Sequence, residues 1–334
     1  MEVNFQIYHY WRSQCAMKGV RMKLGVCSNS LKDLEFDQML DYCVDHNIEG
    51  IELACGGGAW SPNRHIDPDL LLSDAEELRQ LQKKLEIRKL KISALNCSGN
   101  PLSPTEGQKY DEVITKTFRL AEKLGVTCIV TMSGLPAAAP EDTVPNWITL
   151  HFPPELKEML DYQWSIAIPY WQKKCEEAKT YGIKKIAFEN HGYQLVYTME
   201  TLMKMRAGVG ENAEMLGMNL DTSHCFYMGA DPIRIAEIYG HLIYYVHAKD
   251  VLINKEQCAL NTLNDTKPGD QIRQRSWNFV AAGDGHSAEW WRRFARALQT
   301  SGYEGFMTME VGDSLLGGVK GVARAAHFLR ENVL

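Results

Sequence analysis

Eight short apolar runs alternate with longer amphipathic segments along almost the whole chain. The apolar runs are typical of strands buried on both faces, and they occupy residues 23–27, 50–54, 90–95, 127–132, 184–189, 215–221, 242–247 and 305–310. The segments between them have the apolar spacing of helices and cover Glu35–His46, Asp74–Arg88, Tyr110–Leu124, Tyr162–Tyr181, Met199–Ala207, Pro232–Tyr239, Ala288–Thr300 and Gly317–Arg330. This alternation predicts an α/β fold, the closed parallel (β/α)8 TIM barrel. A doubly wound open sheet is the alternative, but no G-x-G-x-x-G motif follows the first strand.

Residues that commonly cap helices stand at several of the predicted boundaries. Gly125 and Gly182 come just after two of the helices, where a left-handed C-cap is favoured. Ser73 opens the sequence S-D-A-E-E and is the expected N-cap of the following helix, with acidic residues in its first turn. Asp231 followed by Pro232 is a second N-cap signal.

The composition excludes several classes of protein. Of the 334 residues, 45% are hydrophobic and 23% are charged, so disorder, collagen and coiled coil are poor candidates. Thirty-six basic and 42 acidic residues give a net charge of −6, which disfavours nucleic acid as a partner. No apolar run approaches the roughly 18 residues that a membrane span needs, so we expect no membrane association.

The first 21 residues precede the first predicted strand and are interpreted as an N-terminal extension. Residues 22–334 then form a single TIM-barrel domain. The N-terminus lacks the basic start, apolar middle and small-residue cleavage site of a signal peptide, so we expect a cytoplasmic protein. The closest two of the nine cysteines are 12 positions apart, which excludes a C-x-x-C zinc or redox pair.

Two connections are unusually long for a compact barrel. Residues 133–161 follow the fourth predicted strand, and residues 248–287 follow the seventh. Both lie at the carboxyl ends of strands, where barrel enzymes build their active sites. Loops of this length are usually lids, binding loops or interfaces.

Four consecutive strands end in residues that bind hard or borderline metal ions. Glu189, Asp221, His247 and Glu310 stand at or next to the carboxyl ends of the fifth to eighth predicted strands. Three carboxylates at one rim would repel one another and resist ionisation unless a cation compensated their charge. The set of three oxygen ligands and one nitrogen predicts one divalent metal ion, for which Mn²⁺, Mg²⁺, Co²⁺ and Zn²⁺ are all suitable.

The motifs around these residues resemble those of a known superfamily. F-E-N-H, N-L-D-T-S-H, V-H-A-K-D and M-E-V are similar, in order, to motifs of the xylose-isomerase-like sugar-phosphate isomerase/epimerase superfamily. The resemblance covers about residues 22–332. It implies a TIM barrel with a divalent metal, Mn²⁺ being the expected ion, on Glu189, Asp221, His247 and Glu310.

A narrower resemblance concerns the loops at the rim. L-N-C-S-G-N-P-L-S-P, the tryptophan-containing loop after the fourth strand, and A-L-N-T-L-N-D-T-K-P-G-D are similar to catalytic subunits of bacterial C-glycoside deglycosidases. This resemblance implies a lyase that cleaves the carbon–carbon bond between a 3-oxo-glucosyl unit and its aglycone. It also implies a small β-rich partner subunit in a hetero-oligomer. The alternative functions are a keto-sugar epimerase or aldose–ketose isomerase, and a barrel that keeps its metal site only as scaffold.

The two enzyme hypotheses share one chemical step. A metal that binds a carbonyl and a neighbouring hydroxyl oxygen eases removal of the carbon-bound proton between them, and a nearby base takes it. In the epimerase hypothesis Glu189 and Glu310 form the acid/base pair. The lyase hypothesis needs a base that is not bonded to the metal, and His151, in the loop after the fourth strand, is the candidate.

Further polar residues near the strand ends are candidate substrate contacts. His191 and His224 follow two of the predicted ligands by two and three positions, and Lys249 extends the V-H-A-K-D motif. Arg273, in the long connection after the seventh strand, could clamp a sugar phosphate. Three rim tryptophans could stack on a flat aglycone or pack the loops down; they are Trp60, Trp147 and Trp277.

Overall fold

A computed structural model describes residues 22–58 and 61–334, and in them eight parallel strands close into a barrel. The barrel strands are β1 (Lys23–Cys27), β2 (Gly50–Ala54), β3 (Lys91–Asn96), β4 (Cys128–Thr131), β5 (Lys185–Glu189), β6 (Leu216–Asp221), β7 (Ile243–Ala248) and β10 (Phe306–Met309). Neighbours in sequence are neighbours in the barrel, and β10 closes it between β7 and β1. The predicted TIM barrel is therefore confirmed, with each strand within one or two residues of its expected position.

Eleven helices lie in the described part of the chain. They are α1 (Phe36–Asp45), α2 (Pro68–Ser73), α3 (Ala75–Ile87), α4 (Gly107–Leu124), α5 (Glu155–Thr180), α6 (Met199–Gly208), α7 (Thr222–Met228), α8 (Pro232–Tyr239), α9 (Lys255–Asn261), α10 (Ala288–Thr300) and α11 (Gly317–Asn332). None of these helices has an apolar stretch of the length that crossing a bilayer requires.

The N-cap of helix α3 is one residue later than expected. The Asp74 side chain, not that of Ser73, accepts the backbone N–H groups of Glu76 and Glu77, because Ser73 is already the last residue of α2. The glycine signals hold: Gly125 and Gly182 both have positive φ, 68° and 72°, which a glycine adopts without the strain that a side chain would cause.

The connection after β4 is shorter than the sequence pattern indicates. Helix α5 begins at Glu155, seven residues before the apolar periodicity starts. Its first two turns are mostly exposed, so they lack the apolar residues that the periodicity depends on. The loop is held to α5 by Gln163, whose Nε2 donates hydrogen bonds to the carbonyl oxygens of Pro136 and Asn146 at 2.9 and 2.6 Å.

The connection after β7 is not a single loop. Strands β8 (Asp250–Ile253) and β9 (Trp277–Val280) pair antiparallel, with Asp250 opposite Val280, and α9 lies between them. Asp250, the first residue of β8, holds the turn that follows β9, because its Oδ2 accepts the backbone N–H groups of Gly283, Gly285 and His286. The insertion is therefore an ordered wall at the carboxyl end of the barrel.

Packed side chains fill both the inside of the barrel and the layer between its strands and helices, so the functional site lies at the carboxyl ends of the strands. Inside the strands, Ala94, Val130, Ala187 and Tyr245 form a small buried cluster, and the Tyr245 hydroxyl lies 2.9 Å from Thr308 Oγ1. Outside them, large side chains such as Trp171 and Trp291 fill the layer between strands and helices. Residues 1–21, predicted to be an N-terminal extension, and Trp60, predicted to lie in a rim loop, are outside the described residues.

Candidate metal centre

Four side chains from adjacent strands converge at the carboxyl end of the barrel. Glu189 and Asp221 end β5 and β6, His247 lies in β7, and Glu310 follows β10. Asp221 and His247 are register partners on neighbouring strands. One ligand atom from each of the four lies within 4.8 Å of the other three, so the structure brings together all four residues that the sequence analysis singled out as metal ligands. These four are referred to below as the metal cluster.

The imidazole of His247 is oriented by a carboxylate that is not in the metal cluster. Its Nε2 lies 2.8 Å from Glu52 Oε2, and Glu52 Oε1 accepts a hydrogen bond from Asn96 Nδ2 at 2.5 Å. With Nε2–H donated to Glu52, Nδ1 carries the lone pair and lies 3.1 Å from Glu310 Oε2 and 3.8 Å from the other two carboxylates. A carboxylate behind a histidine is the usual support of a metal-binding imidazole.

Asp221 presents one oxygen to the metal cluster and uses the other to hold its position. Oδ1 accepts hydrogen bonds from the Ser223 backbone N–H and hydroxyl, at 2.7 and 2.6 Å. Oδ2 is buried and has no hydrogen-bond partner among residues 22–58 and 61–334. Such an unpaired buried carboxylate oxygen is costly. A cation bound by the metal cluster would satisfy it, so these residues fit a divalent metal.

The carboxylates of the metal cluster stay ionised although they are buried. Burial raises the pKa of Glu310, but the Lys249 ammonium, 3.1 Å away, and the cluster histidine lower it to about 2. Burial and the Glu310 charge act to raise the pKa of Glu189, yet His224 and the cluster histidine bring it below its ordinary value. Burial likewise acts to raise the pKa of Asp221, but the His224 charge outweighs it and the pKa lies below its ordinary value. Three negative charges therefore face one point at neutral pH, which favours a cation.

The cluster histidine itself is held in a strongly negative environment. Burial alone lowers the pKa of His247, whereas Glu52 and the carboxylates of the metal cluster raise it well above its ordinary value. A bound cation would compete with a proton for Nδ1, because metal ligation requires the unprotonated nitrogen.

His224 and His191 lie beside the metal cluster. His224 Nε2 is 3.0 Å from Glu189 Oε1, and its Nδ1 is 3.1 Å from the Tyr227 hydroxyl. The Tyr227 hydroxyl also accepts the Gly192 backbone N–H. The rings of His191 and His224 pack edge to face at 4.2 Å. Burial and the His224 charge lower the pKa of His191 to about 4, so His191 is neutral at physiological pH.

The β8–β9 hairpin supplies an aromatic wall next to the metal cluster. Phe279 of β9 lies 4.5 Å from the buried Lys249 ammonium, with the charge over its ring, and 5.9 Å from the ring of His224. Trp277 stacks face to face on Tyr227 at 4.4 Å and is itself buried. Trp277 therefore packs the hairpin against α7, while Phe279 stands closer to the cluster.

Two of the sequence candidates are exposed side chains. His151 is exposed between β4 and α5, and Arg273 is exposed in the connection between α9 and β9. No hydrogen bond or ion pair within the described ranges joins either side chain to the metal cluster. Trp147, in the same loop as His151, packs near the site instead: a Cβ placed on Gly192 would lie 3.3 Å from its ring.

Glu52 is the buried acidic residue of this site that sequence reasoning missed. It stands in the middle of the apolar run G-I-E-L-A and is fully buried. A lone carboxylate inside a buried strand must have a partner, because an isolated buried charge is strongly unfavourable. That signal could have indicated a polar contact inside the barrel, although not which residue makes it.

Comparison with known proteins identifies the family. The model of the family described as xylose isomerase-like TIM barrel matches residues 40–332. The uncharacterized protein YfiH of Bacillus subtilis strain 168 is 42% identical over 316 residues, which cover 93% of this chain and 99% of YfiH. An inosose dehydratase of Clostridium botulinum is 26% identical over 295 residues, covering 87% of this chain and 89% of that enzyme.

Solved structures share the fold at low sequence identity. The probable 3-DHS dehydratase AsbF of Bacillus anthracis superposes with a TM-score of 0.65 at 16% identity, covering 92% of this chain and 99% of AsbF. The IOLI protein, crystallised with a bound zinc atom, superposes with a TM-score of 0.64 at 18% identity, covering 93% and 98%. With the family match over most of its length and a barrel of the same architecture, this chain belongs to the xylose isomerase-like TIM-barrel family.

Proposed function

We propose that the chain is a metal-dependent lyase that acts on a carbohydrate bearing a carbonyl group. It removes the proton on the carbon next to the carbonyl and eliminates the substituent one carbon further on. The observation that carries this proposal is the metal cluster, in which Asp221 Oδ2 is buried without a hydrogen-bond partner in the described part of the chain. The inosose dehydratase relatives support an elimination, since a dehydratase eliminates water.

The metal would be held by Glu189, Asp221, His247 Nδ1 and Glu310. A divalent cation supplies Lewis acidity toward a carbonyl oxygen and an adjacent hydroxyl. Mn²⁺ is the proposed ion, and Mg²⁺, Co²⁺ and Zn²⁺ fit the same ligands. The zinc atom in the IOLI structure supports a divalent ion in this fold.

The side chains around the metal cluster have complementary roles in this proposal. Lys249 is buried and its pKa is raised by the Glu310, Asp221 and Glu189 charges, although burial acts in the opposite direction. It remains an ammonium that can stabilise negative charge on a substrate oxygen or donate a proton. His224 orients Glu189 through its 3.0 Å contact, and His191, whose ring packs on that of His224, is the proposed substrate contact. Glu189 and Glu310 serve as the acid/base pair if the reaction is an epimerisation.

The narrower proposal is C-deglycosylation of 3-oxo-C-glucosides, which rests on the resemblance of the rim loops. The base, for which His151 is the candidate, takes the proton from C2 of the sugar. The C2–H electron pair becomes the C1=C2 double bond, and the C1–aglycone electron pair leaves with the aglycone carbon, which then takes a proton. The aromatic ring of Phe279 lies beside Lys249 at the site. Its presence there supports a substrate with an aromatic leaving group. The same resemblance proposes a small β-rich partner subunit.

A second leaving group is favoured by a specific observation. The inosose dehydratases match this chain over 87% of its length, and water would then leave in place of the aglycone. Proton removal next to the carbonyl is common to both reactions, and also to the alternative of an epimerase or isomerase, in which the proton returns.

The common step can be tested before the leaving group is known. Metal-reconstituted protein is incubated in D₂O with a 3-oxo-C-glucoside and, separately, with a keto-cyclitol, with and without the partner chain. We expect deuterium at the carbon next to the carbonyl of one substrate, followed by release of aglycone or water, detected by mass spectrometry. EDTA, Glu189→Gln and His247→Ala should abolish both signals, whereas the exposed Glu49→Gln should not. Turnover that survives EDTA would contradict the proposal.

A further inference from the structure

Tyr227 lies between the β8–β9 hairpin and the metal cluster. It belongs to α7, the helix that follows Asp221. Its ring stacks on Trp277 of β9, with the ring centres 4.4 Å apart and the planes 7° from parallel. Trp277 is held in turn, because its Nε1 donates a hydrogen bond to the carbonyl oxygen of Leu263 at 3.0 Å. The hairpin therefore fixes the plane of the tyrosine ring, and with it the place of the hydroxyl.

The Tyr227 hydroxyl contacts two parts of the site at once. It accepts the backbone N–H of Gly192, in the loop after β5, at 3.2 Å, and it lies 3.1 Å from His224 Nδ1. Burial raises the pKa of Tyr227 above its ordinary value, so the group stays a phenol. A phenol can donate to an unprotonated imidazole nitrogen and accept from a protonated one. The hydroxyl can therefore hold Nδ1 in either protonation state of His224.

The contact with the loop after β5 requires a glycine. A Cβ on Gly192 would lie 2.7 Å from Tyr227 Oη, closer than Cβ atoms come to other heavy atoms. The tyrosine ring cannot move away without leaving its stack on Trp277. A side chain at position 192 would therefore displace the hydroxyl from the place where it meets His224.

The other nitrogen of His224 faces the metal cluster. Nε2 lies 3.0 Å from Glu189 Oε1 and 3.6 Å from Asp221 Oδ2. Both carboxylates are ionised and can only accept hydrogen bonds, so Nε2 carries a proton. An imidazole held at one nitrogen alone can still turn about its Cβ–Cγ bond, for which the torsional preference is broad. Because Tyr227 holds Nδ1, the ring is fixed at two points and Nε2 stays directed at Glu189.

We infer that Tyr227 is a positioning residue of the metal cluster. Its hydroxyl orients His224, and His224 in turn orients the ligand Glu189. Through the stack on Trp277, the β8–β9 hairpin acts on the geometry of this ligand by way of Tyr227 and His224. The inference rests on the orienting role proposed for His224, but it requires neither a substrate nor a particular reaction.

The test is calorimetric titration of the full chain with Zn²⁺. Tyr227→Phe keeps the ring that stacks on Trp277 and removes only the hydroxyl. We expect it to lower the Zn²⁺ affinity by about two- to tenfold, the loss expected for one hydrogen bond. Tyr42→Phe is the matched control, since it removes a half-buried hydroxyl that donates to the carbonyl oxygen of Val319, between α1 and α11. It should bind Zn²⁺ as the unchanged protein does.

A double-mutant cycle separates positioning from a general effect on the fold. His224→Ala should lower the Zn²⁺ affinity, and Tyr227→Phe added to it should cause no further loss, because the residue through which the hydroxyl acts is gone. A tyrosine that only stabilised the fold would cause the same loss in both backgrounds. Gly192→Ala should likewise weaken Zn²⁺ binding in the unchanged protein and have little effect in Tyr227→Phe, where the hydroxyl that the Cβ would strike is absent.

An unchanged Zn²⁺ affinity in Tyr227→Phe overturns the inference, and so does an equal further loss in the His224→Ala background. If His224→Ala does not fold, the comparison of Tyr227→Phe with Tyr42→Phe and the Gly192→Ala cycle still decide. If the unchanged protein does not bind Zn²⁺, the inference and the proposed metal site fail together. Zn²⁺ binding with the expected cycle but no turnover would contradict the lyase proposal alone.

Discussion

At the scale of single residues, Glu52 fixes which nitrogen of His247 faces the other ligands. We predict that Glu52→Gln lowers the affinity for Mn²⁺ or Zn²⁺ by about 10–100-fold, the usual cost of losing a carboxylate behind a ligating histidine. The variant amide cannot accept hydrogen bonds on both its heavy atoms, so Asn96 and His247 would compete for one oxygen. Metal titration measures the effect, and the exposed Glu49→Gln is the matched control. Equal affinities in the two variants would exclude a role for Glu52.

His151 is a prediction of a different kind, since it rests on resemblance and on no contact in the structure. If His151 is the base of C-deglycosylation, His151→Gln should lower aglycone release by about 10²–10⁴-fold, the typical contribution of a general base. Its metal affinity should stay unchanged. His241→Gln, an exposed histidine before β7, should retain full activity. Near-normal release by His151→Gln would assign the base to another side chain.

The sequence indicated the four ligands for a physical reason that did not extend to Glu52. Glu189 and Asp221 close buried strands, and parallel strands bring their carboxyl ends to one rim, so position alone placed them together. Glu52 reaches His247 across the inside of the barrel, from a strand 195 positions earlier. Such a contact depends on strand register and side-chain direction, which apolar periodicity does not contain.

At the scale of elements, the β8–β9 hairpin shows where periodicity fails. The run V-H-A-K-D-V-L-I continues past the barrel strand, and the structure divides it at Lys249 between β7 and β8. The partner of β8 is β9, whose four residues lie across a connection from residue 254 to residue 276. A short strand with a distant partner has no local signal that distinguishes it from a loop, so the sequence indicated only a long connection.

Asp265 holds the segment between α9 and β9. Its carboxylate is almost completely covered and accepts the backbone N–H groups of Lys267 and Ser276, at 2.9 and 2.5 Å. We predict that Asp265→Asn speeds amide hydrogen exchange in residues 262–277 by at least about tenfold, since a hydrogen bond to a charged group contributes about 1.5–3 kcal/mol. Mass spectrometry of that peptide measures it. Asp270→Asn, exposed in the same segment, should leave exchange unchanged.

The same carboxylate makes the segment sensitive to acid. Burial alone raises the pKa of Asp265, but the N–H groups of Lys267 and Ser276 lower it to about 2 in the folded chain. Because an unfolded aspartate has a pKa of about 3.9, the contribution to stability is present above that pH and is lost as the pH falls toward 2. Protection of the Ser276 amide, corrected for intrinsic exchange, should therefore decline over this range. Protection that stays constant down to pH 2 would contradict the assignment.

At the scale of the whole molecule, we expect the stability of the barrel to depend on whether the metal cluster holds a cation. Three ionised carboxylates lie within a few ångströms of one point, and the lysine and histidine beside them compensate only part of that charge. We predict that a divalent ion at about one hundred times its Kd stabilises the fold by about 2.7 kcal/mol, which for a chain of this length raises Tm by about 4 °C. Differential scanning calorimetry in EDTA and in Mn²⁺ or Zn²⁺ measures the shift.

The variant Asp221→Asn should lose most of this shift in Tm, because it removes the charge of a ligand whose Oδ2 has no hydrogen-bond partner in the described residues. An equal Tm with and without metal in the unchanged protein would mean that the cluster binds no ion tightly, and the lyase proposal would then lose the observation that carries it.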